Sequence, residues 1–142
     1  MTNRAPVIMV VDDARFMRQV LIDIIKTNGL SREIVEAEDG IDAVKKFQKY
    51  KPDLVTMDVT MPGADGVQAL RAILKINPRA KVIMITSVEE KHTVHDSMKL
   101  GARDYIVKPF DRSSVPMVLN KVLRQRPSSW SEINEKYAAS KQ

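Results

Sequence analysis

The sequence contains no cysteine, which excludes disulfide bonds and thiolate metal sites. It also lacks any apolar run near the ~20 residues that a membrane-spanning helix requires. The N-terminus has neither the basic segment nor the long apolar core of a signal peptide. With 142 residues, of which 44% are hydrophobic, the chain is expected to form an ordinary globular domain in the cytoplasm.

Charge of one sign is not concentrated in any part of the chain. The formal net charge is +5, but acidic residues alternate with the basic ones. This pattern is typical of a solvated surface, so we expect no direct nucleic-acid binding and no membrane insertion. Residues 88–126 hold eight basic and five acidic residues, and this mildly basic region could face an acidic protein partner.

Short apolar segments alternate with helical patterns along the chain. The predicted strands are residues 7–11, 34–37, 54–57, 82–85 and 105–107. The first two helical patterns begin their apolar stripes at Phe16 and Ile41, a fourth helix is predicted over 89–100, and a fifth begins near 113. This alternation predicts right-handed βαβ crossovers in an α/β fold. We expect a doubly wound, flavodoxin-like parallel sheet of five strands in the order 2-1-3-4-5, with helices on both faces.

Five polar residues follow predicted strands directly, and they are Asp12, Asp13, Asp58, Thr86 and Lys108. Because the carboxyl ends of parallel strands share one edge of the sheet, these side chains are expected to lie together. Two carboxylates ~5 Å apart repel by about 3 kcal/mol at an effective dielectric constant of about 20. A divalent cation would relieve that repulsion, and hard oxygen ligands with room for water favour Mg²⁺.

This set of residues suits phosphoryl transfer, which requires a positioned nucleophile and positive charge near the phosphoryl oxygens. We predict that Asp58 is the nucleophile and accepts the phosphoryl group. Lys108 and Mg²⁺ would neutralise charge, and the hydroxyl of Thr86 could donate to a phosphoryl oxygen. Each residue also has a structural interpretation, such as helix capping by Asp12 and Asp13 or a turn at Asp58. The joint arrangement favours the functional interpretation.

Over roughly residues 5–126 the sequence resembles the receiver domain of bacterial two-component response regulators, in particular the single-domain chemotaxis type. The motifs that carry the resemblance are Val11-Asp12-Asp13, Asp58 ahead of Met61-Pro62-Gly63, Thr86-Ser87, Tyr105 and Lys108-Pro109-Phe110. The run Asp12-Asp13-Ala14-Arg15-Phe16-Met17-Arg18 resembles the chemotaxis type. The resemblance implies a signalling phosphoprotein that promotes its own phosphorylation and dephosphorylation, and no further enzyme activity.

The resemblance also assigns roles to individual residues. It implies that Asp13, Asp58 and the main-chain carbonyl of Thr60 bind Mg²⁺, and that Asp12 helps through water. Thr86 and Tyr105 would form the switch that responds to phosphorylation. The peptide bond between Lys108 and Pro109 is expected to be cis.

The partners implied are a sensor histidine kinase as phosphoryl donor and a downstream protein target such as the flagellar motor switch. Two alternatives remain open: a phosphorelay intermediate, or the receiver half of a longer transcriptional regulator. An aspartate-nucleophile phosphatase is disfavoured because its acids would usually stand two apart after the first strand. A flavin-binding module is disfavoured because no Gly/Ser/Thr-rich phosphate loop follows that strand.

The sequence divides into a predicted receiver domain, 1–126, and a C-terminal extension, 127–142. Ser129 and Glu132 form a capping-box pattern, and Trp130, Ile133 and Tyr137 follow at helical spacing. We expect a short extra helix there that packs on its own domain. The alternative is that this helix covers the output face or mediates a homodimer, which could also form through the output face itself.

Overall fold

The computed structural model describes residues 6–59, 61 and 66–125. In these residues, parallel strands alternate with α-helices. The strands are β1 (Val7–Val11), β2 (Glu33–Ala37), β3 (Leu54–Asp58), β4 (Val82–Ser87) and β5 (Asp104–Lys108). The helices are α1 (Arg15–Thr27), α2 (Gly40–Tyr50), α3 (Gly66–Ile76), α4 (Lys91–Leu100) and α5 (Val115–Arg124).

The five strands form one parallel sheet in the order β2-β1-β3-β4-β5, which confirms the predicted topology. In this order β1 and β3 are neighbours, although a helix, a strand and a second helix separate them in the sequence. Val11 pairs with Met57, so the residues that follow β1 lie beside Asp58. Asp58 itself pairs with Ile85 on the other side, one residue before Thr86.

The side chains of each strand alternate between two apolar layers, because successive residues point to opposite faces of a sheet. Met9 and Val55 pack into the layer covered by α2 and α3. Ile8, Val10 and Leu54 pack into the layer covered by α1 and α5. Burial on both faces explains why the three inner strands β1, β3 and β4 are almost continuously apolar, as expected for a parallel sheet.

Two side chains in the first turns of α1 and α2 are more exposed than the sequence pattern predicted. Phe16 is 77% exposed and Ile41 is 62% exposed, so neither belongs to the buried stripe to which we assigned it. Each lies in the first turn of its helix, and the buried residues of α1 are Leu21, Ile24 and Ile25, further along. Other first-turn residues are buried, such as Gly40 in α2 and Val115 in α5, so the exposure is a property of these two side chains and not of the first turns as a whole.

The segment predicted as one helix over 89–100 consists of two elements. A 3₁₀ turn spans Val88–Glu90, and α4 begins at Lys91. The fifth helix begins at Val115, with Pro116 in its first turn, where the missing amide hydrogen is tolerated. The Lys108–Pro109 peptide is cis, as expected.

Two predictions concern residues outside the described ranges. These are the Thr60 carbonyl as a metal ligand and the helical extension over 127–142. Within the described ranges, the helices are all too short or too polar to cross a lipid bilayer.

Candidate functional site

Asp58 is the last residue of β3, at the centre of the sheet's carboxyl edge. It is only 5% exposed, although a carboxylate is rarely buried without partners. Strand alternation places its side chain on the same face as Leu54, which packs under α1 and α5. The chain bends directly after it, at Val59, whose amide donates to the carbonyl of Ile85 at 2.9 Å.

Lys108 joins Asp58 to a second buried carboxylate. Its Nζ lies 3.2 Å from Oδ1 of Asp58 and 3.3 Å from Oδ2 of Asp12, and Asp12 is only 1% exposed. The exposed Asp13 completes an acidic cluster, in which one carboxylate oxygen from each acid lies within 4.8 Å of the others. The structure therefore brings together four of the predicted site residues, which come from the ends of three strands.

The electrostatics of the cluster affect the protonation of Asp58. Burial first, and repulsion by Asp12 second, raise the pKa of Asp58 from 3.8 to about 6, although the attraction of Lys108 acts in the opposite direction. Burial by itself would lower the pKa of Lys108, but the carboxylates of Asp58 and Asp12 hold it above its usual value. Lys108 is thus a stable cation, and the cluster of three acids and one lysine keeps an excess of negative charge.

Thr86 and Tyr105 lie on the neighbouring strands β4 and β5. Thr86 is buried on β4, and its hydroxyl donates to the carbonyl of Ser87 at 3.2 Å. Tyr105 is 44% exposed on β5. Both residues line a cavity of about 470 Å³ between α4 and β5, whose walls include His95 and Met98. This cavity leaves space beside Thr86 into which a side chain could move.

Comparison with known families agrees with this arrangement. Residues 8–120 match the response regulator receiver domain. The chain belongs to this family.

Individual relatives of this receiver domain place it within the chemotaxis branch. The chain is 45% identical to the chemotaxis protein CheY of Bacillus subtilis, over 82% of this chain and 96% of that one. It is 47% identical to the CheY of Thermotoga maritima, over 81% of this chain and 95% of that one. Because these matches span nearly the whole relatives, the resemblance to single-domain, CheY-like regulators is confirmed. The relatives support a response-regulator role in chemotaxis signalling.

Solved receiver structures show the same fold. The crystal structure of the CheX–CheY–BeF3–Mg²⁺ complex from Borrelia burgdorferi contains a chain that is 35% identical, with a TM-score of 0.78. The match covers 84% of this chain and 90% of that one. The predicted fold class is therefore confirmed both by the sheet order and by a solved relative.

Two residues make contacts in this receiver site that sequence reasoning did not predict, although Arg18 belongs to the motif that resembles the chemotaxis type. Gly66 begins α3 directly against the end of β3, and a Cβ atom there would lie 2.1 Å from the carbonyl oxygen of Asp58. A glycine at a helix start, where alanine is a better helix former, was the available signal. Arg18 donates to the carbonyl oxygen of Asp12 at 2.8 Å, a contact that no sequence pattern indicated.

Proposed function

We propose that this receiver domain accepts a phosphoryl group on Asp58 from a sensor histidine kinase, in a reaction that requires Mg²⁺. The observation that carries the proposal is the buried Asp58 carboxylate, held 3.2 Å from Lys108 beside two further acids. A carboxylate at the centre of the sheet edge is accessible to a donor from one side only. The protein would act as a signalling phospho-acceptor and not as an enzyme on a separate substrate.

The residues of the site divide the chemistry between them. A carboxylate oxygen of Asp58 forms a bond to phosphorus as the bond from phosphorus to the donor nitrogen breaks, giving an acyl phosphate and a free imidazole. Lys108 faces the charge that develops on the phosphoryl oxygens, and the hydroxyl of Thr86 can turn towards them. Asp58 is ionised, as a nucleophile must be, above about pH 6.

The acidic cluster fits a magnesium ion. Ligand oxygens about 2.0–2.1 Å from one octahedral ion are separated by roughly 3–4 Å, and the carboxylate oxygens here already lie within 4.8 Å of one another. Asp13 and Asp58 are the candidates for direct ligands, with Asp12 acting through water and the Thr60 carbonyl as the further ligand that the resemblance implies. When bound, Mg²⁺ would neutralise charge on the phosphoryl group.

The switch that follows would involve Thr86 and Tyr105. Phosphorylation adds about two negative charges at Asp58. Movement of Thr86 towards them would open more of the cavity that it shares with Tyr105, and the aromatic ring could then turn inward. A change of this kind on α4 and β5 would alter affinity for a downstream protein, which we propose to be the flagellar motor switch or another chemotaxis component in the cytoplasm.

A labelling experiment tests the proposed function. We expect acetyl phosphate to add one phosphoryl group to the wild-type protein in Mg²⁺, and Asp58→Asn to reduce this labelling to background. Intact-protein mass spectrometry measures the product. Asp23→Asn is the matched control, because Asp23 is an exposed acid that pairs with Arg112 and does not belong to the acidic cluster. Equal labelling of Asp58→Asn, or labelling of the wild type that persists in EDTA, would contradict the proposal.

We further propose that the receiver unit of residues 1–126 folds without the extension at 127–142, whether or not the extension packs on it. The end of α5 is already anchored, since Lys81 Nζ donates to the carbonyls of Leu123 at 3.0 Å and Gln125 at 2.5 Å. Arg103 also donates to the Gln125 side chain, at 3.1 Å.

Deletion of residues 127–142 is therefore expected to leave the free energy of unfolding within about 1 kcal/mol of the full chain, with unchanged labelling by acetyl phosphate. Urea unfolding and mass spectrometry measure the two quantities. A truncated protein that fails to fold would show that the extension belongs to the domain. Altered labelling or a change of oligomeric state on truncation would favour a regulatory or dimerising extension.

A further inference from the structure

Each polar group of Asp12, on the main chain and on the side chain, has a partner in the surrounding structure. Its amide donates to the carbonyl of Ala37 at 3.1 Å, and its Oδ1 accepts from the amide of Ala14 at 2.9 Å. Its Oδ2 faces Lys108 at 3.3 Å, and its carbonyl oxygen accepts from Nη1 of Arg18 at 2.8 Å. Arg18 contributes the only one of these four contacts that comes from a side chain outside the predicted site.

The guanidinium of Arg18 makes this contact as part of a fixed arrangement. Its Nε lies 3.0 Å from Oε1 of Glu36 on β2, and the Arg18 side chain is only 13% exposed. A planar guanidinium that binds two partners is oriented more strictly than a point cation such as lysine. The carbonyl of Glu36 in turn accepts a hydrogen bond from Nζ of Lys46 at 2.6 Å. Lys46 lies on α2, so this helix fixes the position of the β2 residue that binds Arg18.

We propose that Arg18 is a positioning residue for the metal site. It fixes the main chain of the turn that carries Asp12 and Asp13, and thereby sets the affinity of the receiver for Mg²⁺. This inference rests on the proposed function, because it concerns the same acidic cluster. Partners that orient metal ligands typically change metal affinity by about 10–100-fold when they are removed.

The direction in which Mg²⁺ affinity changes when Arg18 is removed distinguishes a positioning role from a purely electrostatic one. Arg18 is a cation near a cation site, so its charge alone opposes Mg²⁺ binding. Removing it would also leave Glu36 without its partner, which would add to the attraction for Mg²⁺. If Arg18 acted only through charge, its loss would strengthen Mg²⁺ binding. If it positions the turn, its loss weakens Mg²⁺ binding despite the more favourable field.

The test is isothermal titration of Mg²⁺ into Arg18→Met and into the double variant Arg18→Gln with Glu36→Gln, which keeps the net charge unchanged. We expect the dissociation constant to rise about tenfold in both. Arg112→Met is the matched control, since Arg112 forms an exposed ion pair with Asp23, and its dissociation constant should equal that of the wild type. Arg18→Lys, which retains charge without the planar fork, is the second variant if Arg18→Met does not fold, and it should also weaken binding.

A second readout distinguishes positioning from general damage. The labelling rate of Arg18→Met with acetyl phosphate should be low at limiting Mg²⁺ and should recover at saturating Mg²⁺, because only affinity for the ion has changed. Dissociation constants equal to or below that of the wild type would overturn the inference, as would a labelling defect that saturating Mg²⁺ does not correct. Wild-type protein that binds no Mg²⁺ would instead overturn the proposed function.

Discussion

Replacing Asp58 with asparagine is expected to stabilise the metal-free protein by about 3 kcal/mol at neutral pH. The native pKa of Asp58 is about 6, compared with 3.8 for the unperturbed group. Each unit of that difference corresponds to about 1.4 kcal/mol between the protonation states. Ionised Asp58 is therefore a destabilising group in the folded receiver, because it is 5% exposed and lies against Asp12. Asparagine keeps its shape and removes its charge.

The same pKa difference fixes the pH dependence of this effect. Between about pH 4 and pH 6 the folded state binds the Asp58 proton more tightly than the unfolded state does, so wild-type stability falls as pH rises through this window. The asparagine side chain of the variant cannot titrate and makes no such contribution. The advantage of Asp58→Asn should therefore be close to zero at pH 3.5 and reach its full size above pH 6.5.

Urea unfolding in EDTA at several pH values measures the difference in free energy of unfolding between Asp58→Asn and the wild type. Asp23→Asn is the control for loss of an exposed acid. Saturating Mg²⁺ should reduce the difference at neutral pH, since the ion stabilises the wild type and has a poorer site in the variant. A variant that is less stable than the wild type at pH 7 would contradict this account. A difference that does not change between pH 3.5 and pH 7 would contradict it equally.

The ionised Asp58 lowers the free energy of unfolding, and a loss of stability at such a residue is expected in a functional site. A carboxylate that acts as the proposed nucleophile cannot be permanently neutralised, so its repulsion from Asp12 persists until a cation binds. Lys108 relieves that repulsion in part, at 3.2–3.3 Å from both acids. The Arg18 contact holds Asp12 in place despite the repulsion.

Sequence reasoning located Asp12, Asp58 and Lys108 correctly at one edge of the sheet because a general rule applies to them. Parallel strands end at the same edge, and each of these residues directly follows or ends an apolar strand. The rule needs only the order of the elements. It therefore succeeded although Asp12 and Lys108 are separated by 96 positions in the chain.

The same reasoning failed where the outcome depends on a local contact. Phe16 and Ile41 follow helical spacing, but the pattern cannot show which apolar side chains near the start of a helix face solvent. Arg18 looks like an ordinary surface residue of α1, and only the folded chain places its guanidinium on the Asp12 carbonyl. Gly66 looks like a poor helix former, and only the packing of α3 against β3 explains why no larger residue fits.

Replacing Gly66 with alanine is accordingly expected to lower the free energy of unfolding by at least about 3 kcal/mol. The added Cβ would lie 2.1 Å from the carbonyl oxygen of Asp58 and 3.0 Å from the Cα of Val59. These are backbone atoms of a central strand, so the clash cannot be relieved by rotating a side chain, and overpacking of this kind is costly. The amide of Gly66 also donates to the carbonyl of Val59 at 3.1 Å, which holds the two segments together.

Gly29→Ala is the matched control for this substitution. Gly29 has a φ of +64° but no atom within 4 Å of an added Cβ, so its replacement should cost only the left-handed strain of about 1–2 kcal/mol. Urea unfolding measures the free energy of unfolding of Gly66→Ala and of Gly29→Ala. In the fraction that stays folded, Gly66→Ala should also slow labelling by acetyl phosphate, because relief of the clash must move either α3 or the strand end that carries Asp58. Gly66→Ala that is as stable as Gly29→Ala, or that labels at the wild-type rate, would show that the start of α3 does not set the position of Asp58.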